Sequence, residues 1–136
     1  NLYGMTNSGG SGSEGTIFSL NTDGSGFGVL HTFVFSASDG RNPEGSLTLS
    51  GSNLYGMTYA GGSADAGTIF SLNTNGTGFT LLHSFSGLAS DGQLPNGSLT
   101  LSGSTLYGMT RDGGGSKHTN GHGHLQWLPC ERRSAS

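Results

Sequence analysis

Charged residues are scarce in this sequence: they make up 10% of its 136 residues, and only five residues are Lys or Arg. A protein that binds nucleic acid through phosphates needs a surplus of basic side chains, whereas the formal net charge here is -3. We therefore do not expect nucleic acid as a partner. The low charge also differs from the high charge that is typical of disordered chains.

Cysteine and long hydrophobic runs are equally scarce. The single cysteine, Cys130, excludes an internal disulfide. Hydrophobic residues form 31% of the chain and fall in short runs, none of them near the roughly 20 residues that a membrane-spanning helix needs. Glycine, by contrast, supplies 27 residues. We expect neither a membrane span nor one large core.

Repetition is what the sequence has in abundance. Residues 1–52, the first block, align without a gap with residues 53–104, the second block, and agree at 36 of 52 positions. The words Leu-Tyr-Gly-Met-Thr and Gly-Gly open both blocks and return in a third block at residues 105–114. Self-similarity of this kind predicts repeated small structural units.

The tail, residues 115–136, departs from this pattern. It holds the only Trp, the only Cys and three of the five His. The third copy of the Gly-Thr-Ile-Phe-Ser-Leu run should begin at position 119, but a different sequence stands there. We expect a divergent, disordered tail that arises from a reading-frame change or a truncation artefact near Lys117, and a neighbouring frame of the source DNA should encode the missing strand.

Each block predicts two hairpins, which the second block shows best. Residues 46–50 alternate apolar and polar side chains, Gly51-Ser52 supplies a two-residue turn, and residues 53–58 return. Residues 67–73 and 79–85 form the other hairpin. No segment has a helical period.

The second hairpin reverses at Asn75-Gly76, and Asp23-Gly24 stands at the equivalent place in the first block. These dipeptides predict a turn with positive φ at both central residues. Alternation along the return strand places Phe79, Leu81, His83 and Phe85 on one face. Residues 37–45 and 89–97, rich in Asp, Gly, Pro and Asn, are predicted loops.

Four antiparallel strands in about 50 residues are typical of a β-propeller blade. We therefore predict an all-β fold of tandem four-stranded antiparallel blades, with a 52-residue repeat and a first block that starts mid-blade. Two blocks and a fraction cannot close a ring of about four to eight blades, so further blades or copies of the chain are needed. We expect a fragment of a larger protein.

Residues 54–85 carry two family resemblances. The first resemblance is to a kelch blade, in which Leu-Tyr is followed by a glycine doublet, a strand, a polar turn and an aromatic residue. That aromatic residue is Phe79 here, whereas kelch repeats carry tryptophan. The words Leu-Tyr-Gly-Met-Thr, Gly-Thr-Ile-Phe-Ser-Leu and Leu-Leu-His-Ser-Phe resemble more closely the bacterial GloVer repeat, a choice-of-anchor tandem repeat family, over residues 1 to about 114. This resemblance implies export and attachment to the cell surface, and no particular activity.

Five groups of residues could carry chemistry, and each has a plainer explanation. His118, His122 and His124 could bind a divalent metal, but their loose, glycine-rich spacing favours a disordered tail. His31 and His83 could be ligand contacts or general bases, but their apolar neighbours favour packed histidines bonded to a backbone group.

Asp39 and Asp91 could act on a glycosidic bond, but an Asp-Gly pair more often accepts backbone hydrogen bonds in its own turn. Since catalysis needs different roles at one place, residues that recur in every block favour architecture. Residues 21–25 resemble a calcium loop weakly, and Thr32 stands where an EF-hand loop needs a glutamate. One tyrosine and one methionine recur in every block and could line a ligand site, although packing between blades explains them better; they are Tyr3, Met5, Tyr55, Met57, Tyr107 and Met109.

Loop positions at which the copies differ are the expected places for specificity. They are Arg41 against Gln93, Glu44 against Asn96, and Asn7-Ser8 against Tyr59-Ala60. We predict no catalytic, cofactor-binding or metal-binding residue, and a non-catalytic extracellular scaffold or recognition module for an unknown ligand, carbohydrate or protein. One alternative is a fragment of a propeller enzyme that acts on polysaccharide, with its active residues outside this chain. Another is a purely structural surface protein.

Overall fold

The structure, a computed structural model, describes residues 1–88, 90–113, 117–119 and 125–127, with side chains for the first two ranges. All regular structure in these residues is β-strand, and all strands pair antiparallel. The predicted all-β fold is confirmed. No helix among the described residues has the length and hydropathy needed to cross a membrane.

The strands form two larger sheets and three pairs. The first sheet has the order β1-β2-β3, and the second has the order β4-β5-β6-β7. The pairs are β9 with β10, β8 with β11, and β12 with β13. In chain order the strands are β1 (Leu2–Thr6), β2 (Thr16–Leu20), β3 (Gly28–Thr32), β4 (Gly40–Ser50), β5 (Asn53–Gly61), β6 (Thr68–Asn73), β7 (Thr80–Ser84), β8 (Gln93–Pro95), β9 (Thr100–Ser102), β10 (Thr105–Tyr107), β11 (Thr110–Asp112), β12 (Lys117–Thr119) and β13 (Leu125–Trp127).

The two larger sheets share one pairing pattern. Leu2 pairs with Leu20 in the first sheet, as Leu54 pairs with Leu72 in the second. Both sheets also contain a register shift at the same place, between residues 17 and 18 and between residues 69 and 70. Near-identical blocks therefore adopt the same strand arrangement.

The hairpin turns lie where the sequence predicts them. Ser50 pairs with Asn53 across Gly51-Ser52, and Gly51 has the positive φ, 58°, of a first central glycine. The other turn differs from the prediction of positive φ at both central residues, because in Asn75-Gly76 only the glycine has one, 88°. The Gly76 amide bonds the Asn73 carbonyl, which makes a three-residue loop with glycine in the left-handed position.

The predicted loop at residues 37–45 is wrong in its second half, because β4 already begins at Gly40. Arg41 pairs with Ala60 and Pro43 with Thr58, before a bulge shifts the register between Glu44 and Thr48. Proline is tolerated beside a bulge, where a ladder hydrogen bond is missing. Long-range pairing with β5 therefore overrides the local turn composition.

The prediction that Phe79, Leu81, His83 and Phe85 lie on one face of the return strand is also wrong. Ile69 pairs with His83 and Phe70 with Leu81, so Leu82 is an extra residue that reverses the alternation. His83 therefore lies on the Ile69 side of the sheet, and Leu81 lies on the Phe70 side.

The core lies between the two larger sheets. The buried cluster combines Ile17 and Phe33 from the first block with Leu54, Phe70 and Leu72 from the second. The Phe33 and Phe70 ring centroids are 5.6 Å apart in an edge-to-face arrangement. Full burial of such side chains stabilises a fold by about 1.5–3 kcal/mol each, so this contact is the main support for face-to-face packing.

The third block adds a hairpin beside the second sheet. Ser102 pairs with Thr105 across a glycine turn, as Ser50 pairs with Asn53. The Met57 sulfur lies close to Gly108, and Leu99 is buried. In the tail, β12 pairs with β13, and residues 114–116, 120–124 and 128–136 lie outside the described residues. The disordered tail and the block boundaries stay predictions.

Candidate functional site

Each block joins a histidine to an aspartate eight residues later. The Nε2 atom of His31 lies 3.0 Å from Asp39 Oδ1, and Nε2 of His83 lies 2.8 Å from Asp91 Oδ1. The predicted backbone partner of these histidines is therefore wrong, since the partner is a carboxylate. Recurrence of both residue types at equivalent positions was the available signal for the pair.

The carboxylates also bind backbone amides, as the Asp-Gly interpretation predicts. Asp39 accepts hydrogen bonds from the Val34 and Gly40 amides, and Asp91 accepts one from the Ser86 amide. Burial raises the pKa of Asp91, but the bonds from His83 and Ser86 outweigh this and hold the pKa below its ordinary value. Each pair thus fixes the loop that follows an outer strand.

A pocket of about 370 Å³ opens between the loop after β3 and the loop after β5. We call it the loop pocket. Its lining residues are Phe35, Ser36, Ala37, Gly61, Gly62, Ser63, Ala64 and Asp65. Its walls come from both blocks and lie beside the end of the second sheet where Gly40 of β4 pairs with Gly61 of β5.

A bidentate ion pair borders the loop pocket. Arg41 donates from Nε to Asp65 Oδ1 at 2.8 Å and from Nη2 to Oδ2 at 2.6 Å. Asp65 also accepts the Gly61 amide at 2.8 Å, and Glu14 Oε2 lies 3.7 Å from the guanidinium. The bond from Arg41 lowers the pKa of Asp65, and the same bond raises the pKa of Arg41. The planar groups are thereby fixed in orientation.

Phe35 adds an aromatic surface to this site. Phe35 is 73% exposed, and the Arg41 guanidinium carbon lies 5.0 Å from the centroid of its ring. The sequence interpretation identified Arg41 but missed Phe35 and Asp65. Comparison of the blocks could have found both, because Gly87 stands at the counterpart of Phe35 and Ser13 at that of Asp65.

The other loop positions that differ between copies lie elsewhere. Glu44 pairs with Met57 within β4 and β5, while Asn96 lines a second pocket near Arg111. Arg111 donates a 2.6 Å hydrogen bond to the Tyr59 hydroxyl. In the first block, Asn7 donates to the Pro43 carbonyl. These positions connect neighbouring blocks and do not border the loop pocket.

The remaining candidates separate into packed and exposed residues. Tyr3 and Met5 pack against the core and Met57 is buried, whereas Tyr107 and Met109 are exposed. Asp23 accepts hydrogen bonds from the Ser25 amide and hydroxyl, which fixes the turn at residues 21–25. Within residues 1–88 and 90–113, no three His, Cys, Asp or Glu side chains lie together as a metal site. His118 falls in β12 without a described side chain, and His122 and His124 lie outside the described residues.

Comparison with known proteins identifies the sequence family of the chain. A search of curated proteins and a search of solved structures each gave no match. The model of one family, described as the Gloeobacter/Verrucomicrobia repeat, matches residues 1–128. This match confirms the resemblance to the GloVer-type repeat and extends beyond residue 114 into the tail. The chain belongs to the Gloeobacter/Verrucomicrobia repeat family.

Proposed function

We propose that the chain is a non-catalytic scaffold and recognition module of an exported cell-surface protein, and that the loop pocket binds carbohydrate. The observation that carries the proposal is the exposed Phe35 ring beside the fixed donors and acceptors of Arg41 and Asp65. Sugars present apolar C–H faces and many hydroxyl groups, so an aromatic ring next to oriented polar groups suits them.

The three key residues at the loop pocket are not repeated at the equivalent positions one block later. Gly87, Gln93 and Lys117 stand at the counterparts of Phe35, Arg41 and Asp65. An aromatic ring, a guanidinium and a carboxylate therefore come together once within the first two blocks. This supports a recognition role that one block has gained on a shared scaffold.

The use of the histidine and aspartate pairs supports a role without catalysis. Both oxygens of Asp39 accept hydrogen bonds, and the His31 ring is covered by Phe79. A general base needs a free acceptor within reach of a substrate proton. The pairs are better suited to fixing loops.

The same proposal includes the wider architecture. The first and second sheets are successive blades of a β-propeller, in which the 52-residue block is the repeating unit. Face-to-face packing of two sheets with one pairing pattern supports this arrangement. A complete gene with a signal peptide and a surface anchor would support the exported scaffold, whereas an added catalytic domain would favour the polysaccharide-acting enzyme.

The direct test is binding of the 136-residue chain to a glycan array, followed by titration with each bound glycan. Phe35→Ala and Arg41→Gln, which inserts the second-block residue, should each weaken binding by at least about tenfold. Leu49→Ala, an exposed change in β4 beyond the bulge, is the control and should leave binding unchanged. Absence of any bound glycan, or equal binding by Phe35→Ala, would contradict the proposal.

A further inference from the structure

Asp39 is a buried residue that joins the segments around the loop pocket. It is 6% exposed and directly precedes β4. Its Oδ1 atom accepts hydrogen bonds from His31 Nε2 and from the Gly40 amide, and its Oδ2 atom accepts one from the Val34 amide. Because a buried donor that loses its acceptor costs free energy, these bonds hold their partners in place.

Two of these bonds fix the residues next to Phe35 and Arg41. Phe35 directly follows Val34, and Arg41 directly follows Gly40. Asp39 lies 3.0 Å from the Val34 amide and 2.9 Å from the Gly40 amide. One carboxylate therefore sets the backbone from which the aromatic ring and the guanidinium extend, and the guanidinium carbon lies 5.0 Å from the ring centroid.

The backbone of Asp39 bonds both walls of the loop pocket. Its amide donates to the Ser36 carbonyl at 3.2 Å, and its carbonyl accepts the Gly62 amide at 2.8 Å. Ser36 lines the loop pocket from the first block, and Gly62 lines it from the second. Asp39 thus connects the two walls, although it is not itself a lining residue.

The equivalent aspartate one block later, Asp91, provides a matched comparison. It bonds His83 at 2.8 Å and the Ser86 amide at 2.7 Å, as Asp39 bonds its own partners. The loop that Asp91 holds carries Gly87 at the counterpart of Phe35. The loop anchor therefore recurs in both blocks, whereas the aromatic ring that it places belongs to the first block.

We propose that Asp39 is the positioning residue of the loop pocket and holds Phe35 and Arg41 in the arrangement that binds carbohydrate. This inference rests on the proposed function of the loop pocket. Asp39 acts through the two side chains and does not contact the ligand. When the ring and the guanidinium are already ordered, less conformational freedom is lost on binding, so the affinity is higher.

Binding of three chains to one glycan array tests this role: wild type, Asp39→Asn and Asp91→Asn, each at graded concentrations. Asparagine has the size of aspartate, but its NH2 group turns a donor toward a donor of the protein. Asp39→Asn should therefore bind at least about tenfold more weakly, and Asp91→Asn should bind like wild type. Circular dichroism fixes a temperature at which all three chains are folded. Asp39→Glu, which moves the carboxylate by one methylene, replaces Asp39→Asn if the latter does not fold.

Nuclear Overhauser effects in the labelled chains without ligand give a second readout. A cross-peak between the Phe35 ring and the Arg41 side chain should be present in wild type and Asp91→Asn and lost in Asp39→Asn. The proposal is overturned if Asp39→Asn keeps this cross-peak or full affinity, if Asp91→Asn loses either equally, or if wild type lacks the cross-peak. Absence of any bound glycan contradicts the proposed function, and the cross-peak alone then decides whether Asp39 positions the two side chains.

Discussion

The imidazole ring of His31 lies 3.8 Å from the ring of Phe79, centroid to centroid, with the two planes 4° from parallel. His31 belongs to the outer strand of the first sheet, and Phe79 directly precedes the outer strand of the second. Phe33 contacts Phe70 and Phe79 edge-on beneath this pair. An aromatic layer thus joins the two blocks.

Truncation of this layer should be costly. Phe33 is fully buried, so Phe33→Ala should lower the free energy of unfolding by about 3–5 kcal/mol through lost transfer energy and a residual cavity. Phe35→Ala, two residues away at an exposed ring, should stay within about 0.5 kcal/mol of wild type. Urea denaturation measures both. Similar losses for the two variants would show that Phe33 is not a core residue.

Alanine substitutions at two equivalent glycines, Gly45 and Gly97, distinguish the cost of steric overlap from the cost of backbone strain. Gly45 has φ 82° and Gly97 has φ 86°, so alanine is strained at both by about 1–2 kcal/mol. A Cβ on Gly45 would also overlap the Gly97 carbonyl, whereas a Cβ on Gly97 meets nothing within 4 Å. Gly45→Ala should therefore destabilise the fold by about 1–3 kcal/mol more than Gly97→Ala. Equal thermal midpoints for the two variants would contradict the close approach.

The buried pair of threonine hydroxyls in the second block should matter more than its partly buried copy in the first block. Thr58 Oγ1 donates to the Ala60 carbonyl and lies 2.6 Å from Thr68 Oγ1 in the interior. Thr58→Val leaves buried polar partners unsatisfied and should cost about 1–3 kcal/mol in free energy of unfolding. Thr6→Val removes the equivalent bond to Thr16 at an exposed residue and should cost less. Chemical denaturation measures the loss of unfolding free energy in both variants. A larger loss for Thr6→Val than for Thr58→Val would contradict this prediction.

Acid should destabilise the fold partly through Asp91. Its pKa is held below the ordinary value of 3.8, so it stabilises the folded chain above that value and loses this contribution as pH falls through the lower, folded value. Asp91→Asn should therefore show a smaller loss of stability than wild type as pH falls. Urea midpoints between about pH 6 and about pH 2.5 measure the slopes. Parallel slopes would show that Asp91 does not contribute.

Strand bodies and turn positions could be predicted because local chemistry dictates them. Gly51-Ser52 and Asn75-Gly76 favour reversal wherever they stand between apolar runs, and the structure places hairpins at both. The start of β4 could not be predicted, because its Gly and Pro residues indicate a loop until β5 supplies partners. Pro43 also needs the space beside Gly15, where a Cβ would contact its ring.

The bulge and the loop pocket depend on long-range packing in the same way. Strict alternation put Leu81 and His83 on one face, and one extra residue, Leu82, separates them. The bidentate contact between Arg41 and Asp65 joins residues of two blocks, which no local pattern indicates. Differences between the copies mark Arg41, Phe35 and Asp65 as variable, but the pairing of β4 with β5 is what brings Arg41 close to Asp65.

Face-to-face packing of the two sheets through their aromatic layer is tested most directly by nuclear Overhauser effects in the isotope-labelled chain. Cross-peaks should connect the ring protons of His31 with those of Phe79, and the ring protons of Phe33 with those of Phe70. Cross-peaks within one sheet, such as those between Leu54 and Leu72, serve as the control. Their presence without the ring-to-ring peaks would contradict the packing of one block on the next.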